Sequence, residues 1–351
     1  MKRIFVLLLG AMMMSAGMAQ HVDEGELAMI YFAPQNKIIL LFEYTVEVRE
    51  AGRFSRYAES MLGVSDAVKD NRVIYQLENV HIGSRTEADT TRVRKIVAES
   101  GIDAQLLSIN HKGLLEGYNL RPVVIDKKDQ PKAEQPAVTT VPQAMPLTDE
   151  QLDLPTEEAR AEAVAKQIYR IRESRMYLLS GEVEHAPTDG QAMQVMLDQL
   201  RAEEKALVSL FVGSTTTRRE QKEICLMPSQ ESQERILLYF SEENGFTESE
   251  NLEADSIIVN MTHHRQVYAA SNEQAKGKKA KNAPQPSQLI YNLPGSTDVT
   301  VTYRERTLGE QSLPIAQLGI DVPLTRDLFT GQKLPVIRID VSTGNIQSIC
   351  K

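Results

Sequence analysis

The stretch NKIILLFEYTVEVR at residues 36–49 carries the clearest fold signal in the sequence. It is rich in valine, isoleucine, leucine and tyrosine and contains neither proline nor glycine, a composition that favours a β-strand. Four further segments nearby have the same character and are separated by glycine, aspartate, asparagine or serine: 72–83, 93–99, 104–110 and 120–125. Residues 20–126 are therefore predicted to form an N-terminal β-rich domain.

The next part of the chain, residues 127–154, is richer in lysine, aspartate, glutamine, proline, threonine and alanine. Four prolines interrupt it at short intervals: Pro131, Pro136, Pro142 and Pro146. Because proline fixes φ and lacks an amide hydrogen, this spacing disfavours any helix or paired strand. Residues 127–154 are predicted to be an extended Pro-rich linker.

Residues 155–213 have the periodicity of helices. Their start, Pro-Thr-Glu-Glu at 155–158, is typical of a helix N-terminus, and apolar residues at helical spacing follow as far as Gly181. A second helix is predicted to begin at Thr188 and to end at Gly213. The pair should form a helical hairpin whose apolar faces pack on each other and on a sheet.

Residues 214–351 are predicted to form a C-terminal β-rich domain with a flexible loop at 271–287, where lysine, alanine, glutamine and proline dominate. Eight segments of this region have strand character: 215–227, 235–240, 256–261, 289–292, 299–303, 308–315, 334–340 and 344–349. The predicted fold class is α+β, with two β-rich domains and the helical hairpin packed on the second.

The N-terminus has the three parts of an export signal. Lys2 and Arg3 precede an apolar run over residues 4–14, and small residues follow as far as Ala19. The apolar run is too short to span a bilayer, which takes about 20 residues. Residues 1–19 are predicted to be a signal peptide that is cut between Ala19 and Gln20. Its removal changes the net charge from −9 to −11, because it carries two basic and no acidic residues.

Composition narrows the choice of compartment and partner. An acidic chain is a poor partner for nucleic acid or anionic lipid, because both require a basic surface. No later apolar stretch approaches 18 residues, so no membrane span is expected after cleavage. Without a cysteine at the cleavage site, a lipoprotein is not expected. We predict a soluble periplasmic or extracellular protein whose partner is an envelope protein or a glycan.

The only two cysteines are Cys225 and Cys350. In an oxidising compartment they could form one disulfide, which would close a long loop. The alternative is two separate buried thiols. Sequence alone leaves both open.

Residues that could carry chemistry form no complete motif. His263 and His264 are adjacent, so on a strand they point to opposite faces and do not share one metal. Gly277 and Lys278 resemble part of a phosphate-binding loop, but that loop also requires a glycine five residues earlier and a serine or threonine after the lysine. A solvated basic loop fits better.

Two further patterns are also incomplete. The segment Gly-Val-Ser-Asp-Ala at 63–67 lacks the final glycine of a nucleophile elbow. The acidic run over residues 242–255 does not have the spacing of a calcium-binding EF-hand. The sequence therefore assigns no catalytic, cofactor-binding or metal-binding residue.

Several short patterns resemble one family of exported Bacteroidetes proteins, catalogued as domain of unknown function 4831. They are Arg-Phe-Ser-Arg-Tyr-Ala-Glu at 53–59 with Leu-Gly-Val at 62–64, Leu-Leu-Ser-Gly-Glu at 178–182 with Thr-Asp-Gly at 188–190, Leu-Phe-Val-Gly at 210–213, Tyr-Phe-Ser at 239–241 and Tyr-Asn-Leu-Pro at 291–294. The resemblance covers nearly the whole mature chain. It implies a periplasmic or surface location in a Bacteroidetes cell, and it implies no known activity.

Two functional hypotheses follow. The first is a non-enzymatic binding or scaffolding module of the cell envelope, which uses a sheet surface or the helical hairpin. The alternative is a periplasmic hydrolase whose acidic catalytic residues are scattered along the chain. A cleft with two carboxylates about 5 to 9 Å apart would favour the hydrolase.

Overall fold

The computed structural model describes residues 28–97, 102–120, 147–180, 189–229, 231–249, 254–267, 288–330 and 332–350. The predicted signal peptide, its cleavage site at Ala19 and Gln20, and the predicted loop at 271–287 lie outside the described residues. The α+β class is confirmed.

The described residues form twelve strands, four α-helices and three short 3-10 turns. The strands are β1 (Ala28–Glu50), β2 (Arg72–Val97), β3 (Leu107–Ile109), β4 (Leu115–Tyr118), β5 (Ser214–Leu226), β6 (Gln233–Ser241), β7 (Gly245–Thr247), β8 (Asp255–His264), β9 (Ile290–Tyr303), β10 (Arg306–Pro323), β11 (Val336–Ile339) and β12 (Ile346–Cys350). The α-helices are α1 (Ala58–Leu62), α2 (Asp149–Leu152), α3 (Glu157–Ser180) and α4 (Gly190–Val212), and the 3-10 turns are Ser55–Tyr57, Ala104–Leu106 and Arg326–Phe329.

Three sheets organise the strands, in the orders β2-β1-β5, β10-β9-β8-β6-β7 and β12-β11-β4-β3. In the first sheet β1 pairs antiparallel with β2 and, from Ile38 to Glu50, with β5. In the third sheet β11 pairs with β4. Strands of the two predicted β-rich domains thus lie side by side in two sheets, so the boundaries at residues 126 and 214 do not separate two sets of sheets. The reason is that a central strand needs a partner on each side, and β1 finds its second partner about 180 residues away.

The main core lies between the first two sheets, which stack as a β-sandwich. Ile38, Leu40 and Phe42 point inward from β1 at the two-residue period of a strand, and each is fully buried. Ile257 on β8 and Val301 on β9 belong to the same cluster from the opposite sheet. Burial of each such side chain contributes roughly 1.5–3 kcal/mol, which makes the sandwich the main source of stability.

A second core surrounds the outer ends of β1 and β2. There Tyr31 and Ile96 pack with Tyr118 on β4 and Ile337 on β11. The Tyr118 ring meets the Phe329 ring edge-on, with 5.2 Å between the ring centroids. Residues from both halves of the chain fill this core as well.

The helices form a separate lobe at the other end of β1. This helical lobe consists of the turn Ser55–Tyr57, α1, α2, α3 and α4, and its centre is the contact between the Phe54 and Phe211 rings at 5.4 Å. The predicted hairpin of two long helices is present, but its buried face packs on α1 and Phe54 rather than on a sheet of the second half. The reason is that Phe54 and Ala58 precede the hairpin by about 100 residues and supply the apolar surface that the prediction had assigned to the C-terminal sheet.

Helix boundaries differ from the prediction in two places. Asp189 caps α4, because its carboxylate accepts from the amides of Gln191 and Ala192, whereas Thr188 lies outside the described residues. Within the predicted linker, α2 forms with a capping box between Thr148 and Gln151.

The structure holds both cysteines as free, exposed thiols on different sheets, Cys225 on β5 and Cys350 on β12. The possible disulfide is not formed in this structure. The alternative of buried thiols is wrong, because each cysteine lies on an edge strand and both side chains are exposed.

Candidate ligand-binding cleft

A cleft of about 430 Å³ opens at one end of the sandwich, between β2 and the five-stranded sheet. Its lining residues are Ile74, Tyr75, Gln76, Leu77, Phe240, Glu242, Tyr303, Arg304, Arg306 and Leu308. Farther along the sandwich β2 and β10 lie close together, since a Cβ on Gly309 would come within 2.7 Å of the Val80 carbonyl oxygen. The cleft therefore forms where the two sheets separate at the end of the core.

The floor of the cleft is apolar. Phe240, Leu77 and Leu308 are buried members of the sandwich core. The Phe240 ring contacts the Tyr303 ring edge-on with 5.6 Å between the centroids, and the Phe246 ring also meets it edge-on, at 5.0 Å. Because these side chains are held by core packing, the floor is formed before any ligand arrives.

Tyr303 presents its ring, not a charge, to the cleft. Its hydroxyl donates to the Phe240 carbonyl oxygen at 3.2 Å. Burial raises the pKa of Tyr303 above its ordinary value, with smaller opposing effects from Arg304 and reinforcing ones from Asp255 and Glu242. The phenol is therefore neutral at physiological pH.

Arg304 is fixed at the rim. It forms the turn between β9 and β10 with a left-handed φ of 54°, which is uncommon for a residue with a side chain. Its Nε donates to Asp255 at 2.6 Å, its Nη1 lies 3.8 Å from a Glu242 oxygen, and its guanidinium lies 5.1 Å from the centre of the Tyr303 ring. The hydrogen bond to Asp255 raises the pKa of Arg304 further, so its charge is permanent.

Arg306 makes fewer polar contacts than Arg304. Its Nη2 donates to the Glu78 carbonyl oxygen at 3.2 Å, and within the described residues it takes part in no ion pair. The side chain is exposed at the mouth of the cleft. A guanidinium has five N–H donors, so Arg306 keeps donors for a bound molecule.

Two backbone contacts hold the far side of the mouth. The Tyr75 amide donates to the Glu242 carbonyl oxygen at 2.8 Å, which ties β2 to the turn after β6. Gly245 lies under the Tyr75 ring with a φ of 67°, and a Cβ there would be 3.0 Å from the ring. These contacts fix the position of Tyr75 in the lining.

The adjacent histidines, His263 and His264, lie outside the cleft, at the end of β8. His263 Nδ1 contacts Thr297 Oγ1 and His264 Nε2 contacts Asp298 Oδ2, each at 2.8 Å. Burial, followed by the nearby Arg265 charge, lowers the pKa of His263. Hydrogen bonds from Ser312 and His264 lower the pKa of Asp298. Because the carboxylate of Asp298 lies between the serine and the histidine, the order is not that of a Ser-His-Asp triad.

The other sequence patterns have structural roles where the structure describes them. Gly63 ends α1 with a left-handed φ of 71°, and the acidic run ion-pairs through Glu243 to Arg72 and through Asp255 to Arg304. Gly277 and Lys278 lie outside the described residues. Across the described part of the chain, no cluster of three histidine, cysteine, aspartate or glutamate side chains could hold a metal ion.

The hydrolase hypothesis requires two carboxylates in one cleft. The lining of this cleft contains one carboxylate, Glu242, and that group faces the guanidinium of Arg304. The cleft therefore lacks the acid and base pair that would favour this hypothesis.

Sequence reasoning did not find the cleft. The predicted strands at 299–303 and 308–315 imply a turn that contains Arg304 and Arg306, and this turn is the only part of the cleft that the sequence indicates. The opposite wall comes from β2 and β6, which local patterns do not place beside that turn.

A comparison with protein families matches residues 28–347 to the family described as Domain of unknown function (DUF4831). The chain belongs to this family. Searches of the curated proteins and of the solved structures found no match. The resemblance based on short patterns is thereby confirmed at the level of the family, and the DUF4831 match includes every described strand except the end of β12.

The distal end of the α3–α4 hairpin exposes apolar side chains, among them Met176, Leu179, Val195 and Met196.

No helix within the described residues combines the length and the apolar character needed to cross a membrane.

Proposed function

We propose that this DUF4831 chain is an exported protein of the cell envelope that binds a small ligand and does not transform it. The observation that carries the proposal is the cleft at the end of the sandwich, whose apolar floor is continuous with the main core. Two arginines and a glutamate at its mouth are the kind of convergent polar groups that orient a ligand.

The dimensions and rigidity of the cleft support binding. Its volume of about 430 Å³ falls within the range of roughly 300–1,000 Å³ that is common for small-molecule sites. Phe240 and Leu308 come from paired strands, and Arg304 is held by Asp255. A preformed site loses little conformational freedom when it binds, which favours affinity.

Export is supported by the basic pair, apolar run and small residues of positions 1–19. The test is cell fractionation followed by N-terminal sequencing of the protein. We expect the chain in the envelope fraction to begin at Gln20. An intact chain in the cytoplasm that retains Met1 would contradict this part of the proposal.

Ligand binding is testable by NMR of isotope-labelled methyl groups. The probe is the small-molecule fraction extracted from envelopes of the cells that produce the protein. We expect it to shift the methyl signals of Ile74 and Leu308 in the cleft, while Ile337 in the second core serves as an internal control. Cleft signals that do not respond, or shifts of equal size at Ile337, would refute binding in the cleft.

A further inference from the structure

We propose that the cleft selects an anion with an apolar body, namely a carboxylate carried by an aliphatic or aromatic group. This inference rests on the proposed binding function and adds a ligand class to it. Three independent features of the lining carry it: the charge of the mouth, the apolar floor and the different environments of the two arginines.

The mouth of the cleft holds one guanidinium group that no ion pair among the described residues neutralises. Arg304 is paired with Asp255 beside the lining and faces Glu242, whereas Arg306 makes no ion pair there. The full sequence has a net charge of −9. An acidic protein repels anions in general, so an unneutralised guanidinium group beside an apolar floor favours an anion at this one place.

The floor accepts an uncharged body. Phe240, Tyr303 and Leu308 offer ring faces and methyl groups, and the Tyr303 hydroxyl is already used by the Phe240 carbonyl oxygen. A sugar or another strongly polar molecule would find few hydrogen-bond partners on this floor. An alkyl or aryl group would be removed from water there, at roughly 0.8 kcal/mol per buried methylene.

The two arginines are suited to different tasks. Arg304 is occupied by Asp255 and stacked on Tyr303, so it shapes the rim. Arg306 contacts only a carbonyl oxygen among its described polar partners, which leaves donors for a carboxylate. Arginine binds carboxylates through two parallel hydrogen bonds, so Arg306 is the group that we assign to the ligand anion.

Two sources share this chemistry: a free aliphatic acid and the C-terminal residue of a peptide with an apolar side chain. Octanoate represents the first and N-acetyl-leucine the second. Each has a matched uncharged analogue, octan-1-ol and N-acetyl-leucine amide. The comparison within each pair isolates the contribution of the carboxylate, and the comparison between the pairs identifies the source.

The experiment titrates the full mature chain with these four probes and follows the methyl signals of Ile74 and Leu308. We expect at least one acid to bind about tenfold more tightly than its uncharged analogue. Equal affinities within both pairs would overturn the anion assignment and leave the binding function intact. A response to the envelope extract but to none of the four probes would also overturn only the ligand class. No response to any of them would refute the proposed function itself.

Substitution tests the assignment of Arg306. Arg306→Gln should weaken the binding of the tighter-binding acid by about tenfold and leave the binding of its uncharged analogue unchanged. The matched control is Arg219→Gln, which removes the same charge from an exposed site on β5, away from the cleft. An unchanged Ile337 signal confirms that each variant is folded. Equal weakening by both substitutions would show a general charge effect and would overturn the role of Arg306.

Discussion

The β-sandwich draws its buried side chains from strands as distant in sequence as β1 and β10, whereas the described part of the helical lobe consists of residues 52–68, 147–180 and 189–213. Among the residues that the structure describes, the sandwich cluster contains sixteen buried apolar residues and the lobe cluster contains nine, three of which are alanines. The lobe also exposes apolar side chains at its distal end. The difference indicates that the sandwich holds the fold together and that the lobe is an attached unit with a lower free energy of unfolding.

The largest effect on stability is expected when one buried phenylalanine in each region is replaced by alanine. Phe42→Ala should lower the free energy of unfolding of the sandwich by about 3–5 kcal/mol, because Phe42 is fully buried and contacts the Phe246 ring at 5.5 Å. Phe211→Ala removes the same group from the lobe core. We expect it to increase hydrogen exchange in α3 and α4 but not in β1.

Denaturant unfolding gives the size of each effect, and hydrogen exchange read by mass spectrometry gives its location. Similar losses of protection in β1 for both variants would show that the two regions unfold as one unit. That outcome would remove the distinction between sandwich and lobe.

The junction between the regions provides the second test. Gly213 joins α4 to β5 with φ 78° and ψ −168°, a conformation that is essentially restricted to glycine. A Cβ there would lie 2.4 Å from the Glu50 carbonyl oxygen. Gly213→Ala should therefore destabilise the protein by about 3 kcal/mol, measured by thermal unfolding.

The control for this substitution is Gly190→Ala at the start of α4, where a Cβ would meet no atom within 4 Å. It should have little effect or stabilise the helix slightly. If both substitutions changed the melting temperature equally, the junction would not be the strained point that joins lobe and sandwich.

A bulge separates the two cores within the long β1–β2 hairpin. Phe32 pairs with Val93 and Ala33 pairs with Asp89, so three residues of β2 have no partner on β1. The Asp89 carboxylate accepts from the Thr91 hydroxyl at 2.6 Å and from Arg92 Nε at 2.8 Å. Burial opposes the charge, but hydrogen bonds from Thr91 and Arg92 outweigh it and hold the pKa of Asp89 below its usual range.

A carboxyl group with a lowered pKa in the folded state stabilises the fold above its unfolded pKa of about 3.9 and loses this contribution as the pH falls below that value. Asp89→Asn should therefore destabilise by about 1–2 kcal/mol at pH 7. Its difference from the native chain should shrink below pH 4. Urea unfolding at pH 7 and at pH 3 provides the measurement, and a difference that stays constant with pH would contradict the role of the charge.

Local patterns identified the longest elements but not their partners. The strand at 36–49 and the two long helices were predicted, because period-two and helical spacing are properties of a contiguous segment. The pairing of β1 with β5 and the packing of Phe54 on Phe211 join segments more than 150 residues apart, and no local pattern encodes them. The cleft has the same origin, since its walls come from β2, β6 and the turn between β9 and β10.

The smallest effect is expected at the distal end of the hairpin, where neighbouring residues differ in environment. Met196 is 40% exposed, whereas Leu197 is only 7% exposed. Met196→Gln should change the free energy of unfolding by less than about 0.5 kcal/mol, because the methionine side chain is exposed and glutamine has a similar length. Leu197→Gln should cost about 2–3 kcal/mol, because it buries a polar amide in place of an apolar side chain. Hydrogen exchange of α4 distinguishes the two, since only the second variant should lose protection. If Met196→Gln destabilised the hairpin as strongly as Leu197→Gln, its side chain would be packed against a surface, and the distal end would not be a free end of the lobe.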